Sequence, residues 1–381
     1  MKSLMKISRK EIRTLGPCVH GGKVNEAAER HRIDQRKILD FSASVNPLGP
    51  PQKILAAIKS NFWRIPFYPD STSKTLKTAI AKHLGLNTDN IVVGNGSTEL
   101  IWLFAWVFIK KGDEALIPAP TFGEYEIAVR RAGGRPKFVR LDKIDFRVKA
   151  DDFIDQIRAR TKVIFLCNPN NPTGKIIAKE ELLNIVKAAE QKNVLVFIDE
   201  DFMDFVEEGK RTSFTDSTSI HKNLFILRSF TKFFALAGIR VGYGIGCNQM
   251  NGLLHQGKAP WNVNCLAQVA AVDALANEKY INETQRLITR ERAHMLKGLA
   301  LINSFKVVST DANFVLVKIK STSLTAAQLK EKLLKYGILI RDCSSFRGLD
   351  KYFFRIAIRT RKENAKLLKV MKSVLRECGK Y

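Results

Sequence analysis

At 381 residues, 45% of them apolar, the chain holds enough hydrophobic material for a large core and for two domains. Lys and Arg number 63 against 37 Asp and Glu, a formal charge of +26, but the excess is spread along the chain and no nucleic-acid motif accompanies it, so a solvated basic surface is expected rather than a nucleic-acid partner. No apolar run approaches the roughly 20 residues of a membrane span, the opening M-K-S-L-M-K-I-S-R-K-E lacks a secretory core, and Cys18, Cys167, Cys247, Cys265, Cys343 and Cys378 form no C-x-x-C pair, which argues against a zinc site or disulfide framework and for reduced thiols in the cytoplasm.

From about residue 73 to 245, helical patterns alternate with short apolar runs. Leu76, Ile80 and Leu84 recur at helical spacing, and residues 100–109, with Trp102 and Trp106, read as a buried helix. Strands are predicted at 91–94, 114–117, 162–167, 194–199, 223–228 and 241–245. This alternation predicts an α/β fold, a mainly parallel sheet between helices. After Trp261 the pattern changes: a long helical region to about Asn303, strands at 305–308 and 314–319, a helix at 324–335, a strand at 352–358 and a C-terminal helix at 361–377. In that last helix Leu367, Met371, Val374 and Leu375 make one face, with Lys362, Lys366, Lys369 and Arg376 mostly outside it. The division expected is an N-terminal segment (1–60) packing on the small domain and active site, a large domain (61–260), and an interdomain helix with a smaller α+β domain (261–381).

Three segments carry the chemistry. In S-F-T-K-F-F-A-L-A-G-I-R-V-G-Y, Lys232 sits among Ser229 and Thr231, with Arg240 eight residues on. A lysine amine can condense with the aldehyde of pyridoxal phosphate while hydroxyls and a guanidinium hold the phosphate. In V-I-F-L-C-N-P-N-N-P-T-G, residues 163–174, an apolar strand ends in a polar turn, where an α/β sheet presents functional groups. In V-L-V-F-I-D-E-D, five apolar residues deliver Asp199 to the end of a buried strand; a carboxylate there is costly without a cation, and a protonated pyridine nitrogen would be one. The alternative is that Asp199 caps a helix or turn.

The order Asn168, Asp199, Lys232, Arg240, with the N-P-x-N-P-T-G turn, resembles the fold type I family of pyridoxal-phosphate enzymes, the class I/II aminotransferase superfamily, from about His20 to Arg359. The resemblance implies that Asn168 contacts the phenolic oxygen of the cofactor, Asp199 pairs with the ring nitrogen, Lys232 carries the cofactor covalently, and Ser229 and Arg240 bind its phosphate. G-N-G-S-T-E, opening a helical run, resembles the phosphate cup of the family and places Gly96, Ser97 and Thr98 on the phosphate. Phe122 matches the aromatic that stacks on the ring. Tyr68 matches a tyrosine supplied by the partner subunit, which implies a homodimer.

Enzymes of one fold run different reactions on this cofactor, so the groups that grip the substrate decide which bond at Cα breaks. His20-Gly21-Gly22-Lys23 ahead of D-F-S-A-S-V-N-P-L-G-P-P, Phe202 where related transaminases usually carry Tyr, P-W-N-V-N at 260–264 and the stretch 338–360 together resemble the L-threonine-O-3-phosphate decarboxylases of cobalamin biosynthesis. The implied substrate is a small phosphorylated amino acid, with contacts from His20, Asn46, Asn171, Arg341 and Arg355. Two arginines suit a carboxylate and a phosphate; taken alone, Arg341 could end a surface strand, Arg355 could pair with an acidic neighbour, and His20 could be an ordinary loop residue. Histidinol-phosphate aminotransferase shares the fold and is the alternative, as is decarboxylation of serine phosphate. No metal is implied.

Overall fold

A computed structural model gives the fold and describes residues 4–142, 144–320 and 323–377; Cys378 and the first three residues of the basic N-terminal run lie outside the described residues. A seven-stranded sheet organises the larger part of the molecule, in the order Ile91–Gly94, Gly242–Ile245, Leu224–Ser229, Leu195–Asp199, Thr161–Cys167, Glu114–Ala119, Arg135–Arg140. Only Gly242–Ile245 runs antiparallel to its neighbours. The central strands are apolar throughout because helices cover both faces. Alternate residues divide between two cores: Val163, Phe165, Phe197 and Phe225 enter one, while Ile164, Leu166, Val196, Ile198 and Ile226 enter the other. Phe104, on the Ser97–Phe108 helix, anchors the first, its ring centroid 4.9 Å from Phe197 and 5.1 Å from Phe225.

That helix is not buried all round, contrary to the sequence expectation. Leu100, Ile101, Leu103, Phe104 and Ala105 face the core, but Trp106 is 61% exposed. An aromatic-rich apolar run is ambiguous between a buried helix and one whose outer face meets something else. The strand Arg135–Arg140, R-P-K-F-V-R, was not expected. It lies at the sheet edge, where alternate residues are exposed and Pro136 can be tolerated, so its composition is polar.

The second sheet is antiparallel, in the order Arg341–Asp342, Phe353–Ala357, Phe314–Ile319, Phe305–Val307. The long helical region before it is two helices, Cys265–Leu275 and Glu278–Ala300, separated where the Asn277 side chain caps the backbone N–H of Tyr280. Leu39–Asp40 pairs in parallel with Ile338–Leu339, tying the N-terminal segment beside the second sheet. The C-terminal helix Arg361–Glu377 buries Leu367, Met371, Val374 and Leu375, the apolar face read from the sequence.

Candidate active site

The parallel strands end on one side of the large sheet, and a cavity of about 910 Å³ opens beyond those ends. His20, Ser97, Thr98, Phe122, Asn171, Asp199, Thr231, Lys232, Arg240, Arg341 and Arg355 all line it, although they are spread over more than three hundred residues of chain.

At one end, the turn after Ile91–Gly94 leads into the Ser97–Phe108 helix, whose first N–H groups have no intrahelical partners. Gly96 adopts φ +80°, and a Cβ there would collide with the Arg240 guanidinium. The close approach of cation and backbone therefore depends on glycine. Arg240 itself sits at φ +62°, a strained conformation for arginine, with its guanidinium toward Thr231 Oγ1 at 3.5 Å. The Ser229 hydroxyl accepts the Thr231 N–H at 2.9 Å, closing the turn that leads to Lys232. Helix N–H groups, two hydroxyls and a guanidinium in one place suit a phosphate monoester.

Asp199 ends its strand with both carboxylate oxygens engaged: Tyr125 Oη donates to Oδ2 at 2.7 Å and the Asp201 N–H to Oδ1 at 3.0 Å. Burial, reinforced by the Asp201 charge, pushes its carboxyl up to about 7. A cation bound beside it would reverse that shift. Burial also lowers the ammonium pKa of Lys232, against the opposing charge of Asp201, which favours the neutral, nucleophilic amine.

The far wall comes from the second sheet. Arg341 and Arg355 are directly opposite each other in its antiparallel ladder. Like charges in that position repel unless an anion lies between them. Arg355 donates through Nη1 to Asn171 Oδ1 and through Nη2 to the Ser42 carbonyl at 3.0 Å, while its Nε is buried without a partner among the described residues; burial lowers its pKa to about 10. Arg341 donates to the Val19 carbonyl and to Ser345 Oγ. His20 Nε2 meets Glu124 Oε1 at 2.8 Å, and Trp102 Nε1 donates to Glu124 Oε2 at 2.8 Å. Burial works against the Glu124 carboxylate, but the bonds from His20 and Trp102 outweigh it and leave its pKa below the ordinary value.

Two sequence expectations, for Asn168 and Asn46, are corrected by this geometry. Asn168 is fully buried but turned from the cavity: Oδ1 accepts from the Ile177 N–H at 2.8 Å and Nδ2 donates to Thr212 Oγ1 at 3.0 Å. The turn holds three asparagines, and only the fold decides that Asn171 faces inward. Asn46 is likewise spent on the fold, its Nδ2 donating to Phe233 O and Thr284 Oγ1, while its N–H donates to the Lys232 carbonyl at 2.9 Å. It braces the lysine turn from behind. Tyr68 lies outside its own chain's cavity, 79% exposed and stacked on Trp261 at 4.6 Å. Residues not foreseen are Tyr125, Glu124 and Asp201. E-Y-E after P-T-F-G and D-E-D were legible as carboxylates near motifs, but only contact distances give them partners.

Pyridoxal 5′-phosphate fits these residues. The donor set matches its phosphate, the Gly96 approach leaves room for it, and the buried acid and buried amine lie along one wall. No helix among the described residues is long and apolar enough to cross a membrane. The sequence pattern of aminotransferase class I and II matches residues 36–371. A provisionally named threonine-phosphate decarboxylase from Caldanaerobacter subterraneus subsp. tengcongensis is 41% identical, over 97% of each chain. The crystal structure of a histidinol-phosphate aminotransferase from Clostridium acetobutylicum superposes with a TM-score of 0.83 at 36% identity, covering 89% of this chain and 100% of that one. The L-threonine-O-3-phosphate decarboxylase of Porphyromonas gingivalis does so with a TM-score of 0.78 at 27% identity, covering 88% and 99%. This chain is a pyridoxal-phosphate enzyme and belongs to the aminotransferase class I and II family.

Proposed function

We propose that the enzyme is a carboxy-lyase that decarboxylates L-threonine O-3-phosphate to (R)-1-amino-2-propanol O-2-phosphate, in the cytoplasm, for the nucleotide loop of cobalamin. The observation that carries the reading is the opposed pair Arg341 and Arg355, with His20 in the same cavity: three basic side chains for a substrate that bears both a carboxylate and a phosphate. The 41% identical relative supports the same choice. Phe202, buried in the cavity wall and edge-on to Phe314 at 5.0 Å, offers no hydroxyl.

Pyridoxal phosphate supplies an electron sink for the pair left at Cα when a bond there breaks. Lys232 holds it covalently. Asp199 pairs with its ring nitrogen, the 96–98 turn with Ser229, Thr231 and Arg240 holds its phosphate, and Phe122 flanks the ring. Asn171 takes the phenolic-oxygen contact that Asn168 cannot reach. His20, Arg341 and Arg355 grip the substrate, and residues 61–260 form the cofactor domain. Tyr125 keeps Asp199 ionised by donating to it, so Tyr125→Phe should raise the Asp199 pKa and move the acid limb of kcat/KM to higher pH. An unmoved limb would show that Tyr125 only packs.

The deciding assay is one incubation with threonine phosphate and 2-oxoglutarate. Carbon dioxide without glutamate supports the lyase; glutamate without carbon dioxide supports a transaminase of the histidinol-phosphate type. Serine phosphate belongs in the same assay, because one methyl group supplies only about 1–3 kcal/mol of discrimination.

The grip must also protect the substrate's phosphate, a good leaving group on the carbon next to Cα. His20→Ala or Arg355→Lys should therefore raise the ratio of free phosphate to carbon dioxide as well as slow turnover. Lysine keeps the charge but loses the planar fork. Slower turnover at an unchanged ratio would assign these residues to affinity alone.

The working unit is a homodimer with Tyr68 serving the partner's site. Exposed Trp63, Phe67, Tyr68, Trp106 and Trp261 form the kind of aromatic surface that stable interfaces bury. Tyr68→Phe and Lys232→Ala, each impaired alone, should regain partial activity when their subunits exchange. Verified exchange without recovery would place each site within one chain.

A further inference from the structure

Two acidic side chains in the cavity wall, Glu126 and Asp201, are employed by neither the cofactor contacts nor the substrate grip, and Glu126 is already paired with Arg130 and Arg347, at 2.9 and 3.1 Å. Asp201 follows Asp199 by two residues and lines the same cavity as Lys232, Arg240 and Arg355. One of its carboxylate oxygens, Oδ1, is sealed from solvent without a partner among the described residues. A carboxylate with a sealed, unpaired oxygen costs free energy unless a cation stands near.

Among the cations lining the cavity, Arg240 donates to Thr231 Oγ1 and the Ala237 carbonyl, Arg355 to Asn171 and the Ser42 carbonyl, and Arg341 to the Val19 carbonyl and Ser345, which leaves the Lys232 amine for Asp201. Arg355 and Arg240 face the amine and disfavour its charge, as does burial; Asp201 is the foremost opposing group and Asp199 a lesser one. From the acid's side, Lys232 is the foremost cation and Arg240 the next. The remaining acids nearby are committed. Glu200 and Asp204 both pair with the buried Arg228, at 2.9 and 2.7 Å. Asp199 has both oxygens hydrogen-bonded, with the buried Tyr125 and Cys167 behind it, and its carboxylate is the partner for the cofactor's ring nitrogen. The site thus contains two buried carboxylates for two nitrogen cations, and their division follows from position.

We propose that Asp201 is the counter-ion of Lys232, a positioning residue that keeps a proton on the lysine nitrogen when it is joined to the cofactor. The proposal rests on Lys232 as the point of attachment and not on which reaction follows. Asp199 and Asp201 then divide the work: one holds charge at the ring nitrogen, the other at the lysine end. Without Asp201, two guanidiniums and a desolvated site would strip that proton at lower pH.

The test uses the holoenzyme without substrate. The visible absorbance of the bound cofactor is titrated against pH in wild type, Asp201→Asn, Asp201→Ser and Asp201→Glu. Removal of an opposite charge from the same cavity should lower the midpoint by about 1–3 pH units in the Asn and Ser variants, and Glu should restore most of it. A structural role would change thermal stability or cofactor affinity and leave the midpoint in place. An unmoved or raised midpoint in both neutral variants overturns the proposal. So does failure of both to take up the cofactor while Glu retains it, which would make Asp201 a cofactor ligand. Borohydride reduction and peptide mapping of the same samples separate the two assignments: cofactor fixed on another lysine overturns both, whereas cofactor on Lys232 with an unmoved midpoint overturns only the role of Asp201.

Discussion

Lys232→Ala should lose turnover by at least about a thousand-fold while the protein still binds pyridoxal phosphate noncovalently. The side chain lines the cavity with Asp199, Asp201, Arg240 and Arg355, and desolvation favours its neutral amine, the form that attacks a carbonyl. Nothing in the surrounding wall can replace it. Asn46 and Ser229 act on its backbone turn, and Thr231 Oγ1 faces Arg240. The phosphate anchors are independent of the lysine, so affinity for the cofactor should fall much less than activity. Wild-type enzyme should be yellow, and borohydride should fix the cofactor on the peptide containing Lys232. A label on a different lysine, or a Lys232→Ala variant with near-normal turnover, would remove this residue from the mechanism.

Asp199→Asn should cost nearly as much by a different route. The amide keeps the shape; its single oxygen can accept from the Asp201 N–H while its NH2 donates to Tyr125 Oη, so the fold should survive. What is lost is the charge that keeps a ring nitrogen protonated. At an effective dielectric of about 20, unit charges about 4 Å apart interact by about 4 kcal/mol, equivalent to roughly three powers of ten in rate. Steady-state turnover beside near-ultraviolet circular dichroism separates loss of chemistry from loss of fold. Retained activity would mean that Asp201, two residues on and lining the same cavity, can take over the ring nitrogen, and would count against the division of charge proposed above.

Much of the molecule was legible in the sequence. Apolar runs such as V-I-F-L-C and V-L-V-F-I can be satisfied only in a sheet covered on both faces, and Asp199, Lys232 and Arg240 follow those runs at positions where strand ends converge. The C-terminal helix was equally plain, because its apolar residues repeat with the helical period and lie on one buried face. These features are local: periodicity and strand termini are written within a few residues.

What only the tertiary structure decided is direction and company. N-P-N-N-P-T-G contains three asparagines, and the fold turns Asn168 into the protein and Asn171 into the cavity beside Arg355. The family resemblance puts Asn46 on substrate, yet its amide is consumed by Phe233 and Thr284, far along the chain. Arg341 and Arg355 are fourteen positions apart in the sequence, but antiparallel register sets them face to face. Tyr125 and Glu124 acquire their meaning in the same way, from a carboxylate and an imidazole contributed by distant segments. The physical reason is that a side chain's role depends on which other groups share its desolvated space, and that is set by contacts between elements tens to hundreds of residues apart.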